Sequence, residues 1–224
     1  MKKISKNFMM LAIVCVFTLS TALAAHAVQF GFNRITPANS SYDVSDQLWV
    51  DVTDPGNDQV LFTLFNIGPL ASSITDVYFD DGSLLGIANI DNTDPGVAFS
   101  QYATPSNLPG GNNLAPPFET TAGFSADSDV PVSQNGINPT ETLGIVFDLI
   151  NGEVFQSVID QLWSAELRIG IKVQALPDGE SDGYVNIPNT PVPEPATMFL
   201  FGSGLVGLAG FGRRKIKKSL NETR

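Results

Sequence analysis

Ten short runs rich in β-branched and aromatic residues, separated by clusters of Gly, Pro, Asn and Asp, set what residues 28–191 can fold into. They are Val28–Arg34, Leu48–Thr53, Gln59–Asn66, Ile74–Asp80, Leu84–Asn89, Val97–Tyr102, Gly123–Ala126, Leu143–Ile150, Leu167–Gln174 and Tyr184–Asn186. Leu167–Gln174 is the clearest: Leu167, Ile169, Ile171 and Val173 alternate with Arg168, Gly170, Lys172 and Gln174, which predicts one dry face and one wet face. A single helix is predicted over Glu153–Trp163, where Val154, Phe155, Val158, Ile159 and Leu162 recur at helical spacing behind Asn151 as the cap. Thr104–Thr121 and Asp129–Thr140 lack periodicity and read as ordered or semi-ordered loops. Short strands without strand–helix alternation imply an all-β fold, an antiparallel, jelly-roll-like sandwich with one short helix. The 164 residues from Val28 to Pro191 suit one domain.

The front of the chain predicts export. Lys2, Lys3 and Lys6 precede an apolar run from Phe8 to about Ala25, and Ala25-His26-Ala27 fits the small-x-small cleavage rule. Residues 1–27 therefore read as a helical Sec-type signal peptide, with the Sec translocon and signal peptidase as partners and Val28 as the mature start. A lipoprotein reading of Cys15 fails, because Val14 stands where Gly or Ala is needed. Cys15 and His26 are the only cysteine and histidine, and both fall in this leader. The mature body then offers no disulfide, no thiol or histidine catalysis and no His or Cys metal ligand. Carboxylate chemistry is the one enzymatic route it leaves open.

Charge is as uneven as cysteine usage. The whole chain carries −11, yet residues 28–191 hold 21 acids against three bases, Arg34, Arg168 and Lys172. A body at −18 has no basic patch to release counterions, so nucleic acid is excluded as a partner. Arg168 and Lys172 share a face of one predicted strand and are expected to sit opposite carboxylates on neighbouring strands. The alternative is an anion or uronate contact.

The rear of the chain has three parts. Val192–Pro195, which contains Pro193-Glu194-Pro195, is predicted to be an extended hinge, because proline lacks a donor and restricts the residue before it. The uncharged residues 196–212 make a predicted transmembrane helix of roughly 25 Å, just long enough for a thin hydrocarbon core. Arg213, Arg214 and Lys215, followed by Lys217 and Lys218, act as a cytoplasmic stop. An ordinary C-terminal anchor would need no more than this.

The order Pro-Glu-Pro, Gly-rich apolar helix, Arg-Arg-Lys resembles the PEP-CTERM sorting signal of Gram-negative bacteria that make exopolysaccharide. The resemblance implies that residues 192–224 hand the chain to an exosortase in the cytoplasmic membrane, which cuts near Pro193, Glu194 and Pro195 and releases the body. Segments such as VLFTLFNIGP, ITDVYFDDG, NPTETLGIVFDL and LRIGIKVQ resemble a group of PEP-CTERM proteins of unestablished function. That resemblance carries no catalytic residue over.

Acidic turns are where a ligand would sit. Asp178, Glu180, Asp182 and Gly183 match positions 1, 3, 5 and 6 of a Ca²⁺ loop, although the twelfth position is Asn189 and no helices flank it. Asp-Gly turns explain the same residues, and Ca²⁺ is the only cofactor suggested. Tyr78-Phe79-Asp80-Asp81-Gly82 reads either as a carbohydrate-binding surface or as a strand running into a hairpin turn. The expectation is an exported structural or adhesive protein of the cell surface or exopolysaccharide matrix, with exopolysaccharide as a further partner. A carbohydrate- or Ca²⁺-binding module is the alternative, and a carboxylate-dependent glycan hydrolase the third reading.

Overall fold

A computed structural model describes residues 27–81 and 84–188. Ala25, the signal helix, Pro193, Glu194, Pro195, the predicted transmembrane helix and Arg213, Arg214 and Lys215 lie outside the described residues. Ala27 is exposed and leads directly into the first strand.

Among the described residues ten strands form: β1 Val28–Arg34, β2 Leu48–Thr53, β3 Gln59–Asn66, β4 Ser73–Asp80, β5 Leu84–Asp91, β6 Phe99–Gln101, β7 Ser125–Ser128, β8 Thr142–Leu149, β9 Arg168–Gln174 and β10 Asp182–Asn186. All neighbours pair antiparallel, in the order β5-β8-β3-β2-β1-β10-β9-β4-β7-β6. β1 belongs to both halves of that ladder. Its first half pairs Val28 to Gly31 with β2, and its second half pairs Phe32 to Arg34 with β10. A strand that changes sheet in mid-course makes the corner of a sandwich. Sheet one is then β5-β8-β3-β2-β1 and sheet two β1-β10-β9-β4-β7-β6, the expected antiparallel sandwich.

Rings from both sheets meet in the middle. Phe62 of β3 and Phe147 of β8 face Phe79 of β4 and Phe124, with centroids 5.0 Å apart for Phe62–Phe79, 4.7 Å for Phe79–Phe147 and 5.4 Å for Phe124–Phe147. The tilted and edge-on geometries are those aromatic quadrupoles favour, worth about 0.5–1.5 kcal/mol a pair beyond area burial. At the far side the outer edges of the two sheets are tied. The Asn92 amide donates to the Phe99 carbonyl at 3.0 Å and accepts from the Phe99 N–H at 2.8 Å, taking the place of a neighbouring strand.

Among the described residues two α-helices interrupt the strands. The first, α1 Val132–Asn135, is one turn long and falls where a loop is expected. It is too short for periodicity to reveal. The second, α2 Phe155–Ser164, buries Val158, Ile159 and Leu162 as its spacing predicts, with Phe155 half-buried, whereas Val154 precedes the helix and is exposed. Asn151 is not its cap: it sits in a turn at φ 57°, and the helix starts only after Val154.

A buried polar knot fastens the connection leading to β4. The Asn66 amide donates to the Ile137 carbonyl at 3.1 Å and to Ser72 Oγ at 3.0 Å, while Gln47 Nε2 donates to Asn66 Oδ1 at 2.9 Å and to Ser72 Oγ at 2.7 Å. Asn66 is fully buried. Asn66→Ala removes three of these four hydrogen bonds from a buried site, so we expect a loss of about 1–3 kcal/mol of unfolding free energy in urea titrations, against no change if the knot is dispensable.

Candidate functional site

Within sheet two, β4 and β10 are buried on both faces. All but the last residue of β4 and all five of β10 are buried. The inner face meets the aromatic core. The outer face is roofed by residues 103–118, whose Ala103, Leu108 and Phe118 form a second apolar cluster with Tyr78 and Val185. The wet face expected for Leu167–Gln174 is therefore partly covered: Gly170 is buried, and Arg168, Lys172 and Gln174 are half-buried. Two strand glycines admit the roof: a Cβ on Gly170 would stand 2.7 Å from Leu108 Cδ2 and 3.1 Å from Phe118 Cζ, and one on Gly183 only 2.5 Å from the Pro109 carbonyl oxygen.

Under the roof the two strand cations meet carboxylates on β4. Lys172 Nζ stands 3.4 Å from Asp76 Oδ2, and Arg168 pairs with Asp80. The expected cross-strand pairs form, in place of an open anion contact. Arg168 also donates to the carbonyls of Pro116 and Pro117 at 2.8 and 2.6 Å and lies 5.2 Å from the Phe118 ring centroid. One guanidinium thus holds strand, roof and ring together, using its fork of donors and its flat cationic face. Between the two ion pairs the Tyr78 hydroxyl lies 3.2 Å from Asp76 Oδ1 and 3.1 Å from the Pro105 carbonyl. Burial above all, then the Asp76 charge, drives the Tyr78 phenol upward from its ordinary range.

Asp127 of β7 is the partner that local sequence does not announce. It faces Asp76 in register and accepts the Thr104 N–H at 3.3 Å. Burial first, and then the charge of Asp76, raises its carboxyl above the usual aspartate value.

Beside this ladder lies a cavity of about 300 Å³ lined by Tyr102, Ala103, Ser106, Asn107, residues 120–123 and Ser125. That volume is at the small end of the range for ligand pockets. None of the nine lining residues is charged. Tyr102 is 67 % exposed and holds φ at 77°, an uncommon conformation for a bulky residue, fixed by its N–H donating to the Ser125 carbonyl at 2.8 Å. Thr120 Oγ1 is buried with no protein partner.

The other predicted site residues are not brought together. Asp178 accepts Ser40 Oγ at 2.9 Å and the Ser41 N–H at 2.9 Å, and the Ser41 N–H foremost holds its carboxyl below the usual range. Asp182 opens β10 instead, taking Thr36 Oγ1 at 2.8 Å and the Arg34 guanidinium at 3.3 Å. The Glu180 backbone carbonyl closes the turn onto the Leu176 N–H. Among the described residues no group of three or more acidic, His or Cys side chains is arranged to hold a metal. Tyr78 and Phe79 are fully buried, so they present no carbohydrate platform, and β4 crosses to the other sheet instead of turning back as a hairpin.

Residues 191–215 match the PEP-CTERM protein-sorting motif. The chain thus bears the signal of an exported, exosortase-sorted protein with a C-terminal membrane-anchoring segment. No curated protein and no solved structure matches the chain.

Two outcomes follow from this geometry. Gly170→Val should push Leu108 and Phe118 off β9, exposing residues 104–118 to limited proteolysis; cleavage at the native rate would contradict the close approach. Burial pushes the Tyr184 phenol up to about 12, from 10.0 in the unfolded chain. Above pH 10 only the unfolded chain ionises there, so stability is intact below pH 10 and falls between about pH 10 and 12. Tyr184→Phe should flatten that fall in urea midpoints measured across the interval.

Proposed function

We propose that this chain is a structural or adhesive component of the cell surface or exopolysaccharide matrix. Sec export and signal peptidase would remove residues 1–27, and exosortase would cut near Pro193, Glu194 and Pro195 to free the acidic sandwich from its transient anchor. The tail match carries this reading, since a detachable anchor is useful only to a protein that acts outside the cell. Intact mass of the surface-associated protein tests it. We expect a species that begins at Val28 and lacks residues 196–224; a mass that retains the tail would make it a permanent anchor.

A second reading, carbohydrate binding, is favoured by the Tyr102 cavity. An exposed ring beside hydroxyls, an amide and an unpartnered Thr120 Oγ1 suits a neutral sugar, which offers an apolar face for the ring and hydroxyls for the rim. The lining holds no carboxylate, so binding fits this cavity better than hydrolysis does. On an array of neutral and acidic oligosaccharides we expect neutral ligands to be retained and Tyr102→Ala to weaken them by at least about tenfold, 1.4 kcal/mol or more. Equal retention by the variant would remove Tyr102 from the site.

A further inference from the structure

We propose that Lys172 and Asp76 condense to an intramolecular amide, a covalent staple between β9 and β4, with Asp127 relaying the proton. The two reacting side chains face each other in register across the β4–β9 pair, with Lys172 Nζ 3.4 Å from Asp76 Oδ2. A bulge sets this up. Ile74 pairs with Val173 and Asp76 with Lys172, so Thr75 is an extra residue on β4; Ile74 stays in the core while Asp76 turns to the roofed face. The Asp76 side chain is 1 % exposed and the Lys172 side chain 19 %.

Both carboxyl oxygens of Asp76 carry hydroxyl contacts. Thr75 Oγ1 is 2.7 Å from Oδ2 and the Tyr78 hydroxyl 3.2 Å from Oδ1. Thr75 Oγ1, as a donor, draws electron density from the carboxyl carbon and stabilises the oxyanion that an attacking amine creates, while the Tyr78 hydroxyl divides its one proton between Asp76 and the Pro105 carbonyl. On the opposite side of Asp76 stands Asp127, whose burial favours its protonated form.

The step balances without another reactant. Lys172 enters as ammonium and Asp76 as carboxylate. The Nζ–Cγ bond forms and one Cγ–O bond breaks. Two of the three ammonium protons leave with that oxygen as water, and the third stays on the amide nitrogen. Asp127 gives a proton to the departing oxygen and recovers one from nitrogen, ending as it began. Strand pairing supplies the proximity that chemical activation supplies elsewhere; effective molarities of about 10⁵–10⁸ M are reached in well-oriented pairs. Replacing a buried ion pair by a neutral amide also relieves the desolvation that such pairs suffer. Residues 28–191 contain no cysteine, so a disulfide cannot serve the same purpose.

Peptide mapping of the native protein recovered from its producing cells tests the proposal. The expected product is a branched peptide joining Asp76 to Lys172, one water lighter than its two parts. Lys172→Arg keeps the charge and should release the two peptides separately. Asp127→Asn, with its fold checked by circular dichroism, should also lose the link. Unlinked Asp76 and Lys172 in the folded native protein overturn the staple, and the native map decides this even if the variants fail to fold. A link that persists in Asp127→Asn overturns the role of Asp127.

Discussion

The roof over the outer face of sheet two is the contact on which the rest of this structure depends. An antiparallel sheet ordinarily leaves one face to water. Here the segment 103–118 lays Leu108 and Phe118 onto Gly170 and ties itself to Arg168, Tyr78 and Asp127. This places charged side chains in a largely covered layer, where pairing offsets their desolvation. Arg168 has Asp80 and Lys172 has Asp76, so the few cations of an acidic body serve as internal fasteners. Arg34 does similar work at the start of β10, bound to Asp182 and to the carbonyls of Ser40 and Tyr42.

The same roof creates the cavity. Where the chain enters it, Tyr102 turns outward at positive φ; where the chain leaves it, residues 121–124 return to the edge of β4, with the Thr121 N–H on the Phe79 carbonyl at 2.9 Å. The uncharged pocket lies between entrance and exit. Tyr102 combines an exposed ring with a backbone at positive φ, an uncommon conformation for a bulky residue. Carboxylates of β4 and β7 thus lie beneath the roof, and the uncharged pocket lies at its margin.

Much of the strand layout was legible in the chain. Val28–Arg34, Leu48–Thr53 and Gln59–Asn66 form with the bounds their patterns predict, because β2 and β3 bury alternate residues and the period of two survives. β4 and β10 hid their environment. Their polar residues imply a wet face, and the roof that dries it lies elsewhere in sequence, between β6 and β7. Asp127 was illegible for a similar reason: only the β4–β7 register brings it to Asp76. The spacing of Asp178, Glu180 and Asp182 looked like a Ca²⁺ loop, whereas long-range partners Ser40 and Arg34 claim the first and last of those carboxylates. Asn151 misled because a turn residue and a cap residue share the same chemistry.

Hydrogen exchange across residues 104–118 of the native protein tests the covered face most directly. The Gly111, Asn113, Leu114 and Phe118 amides bond to carbonyls within the segment, at 3.0–3.1 Å, above a buried apolar cluster. These amides should exchange far more slowly than those of an unstructured chain, with protection lost together with that of β9. Exchange at unstructured rates across the segment, while β9 stays protected, would mean that no roof exists.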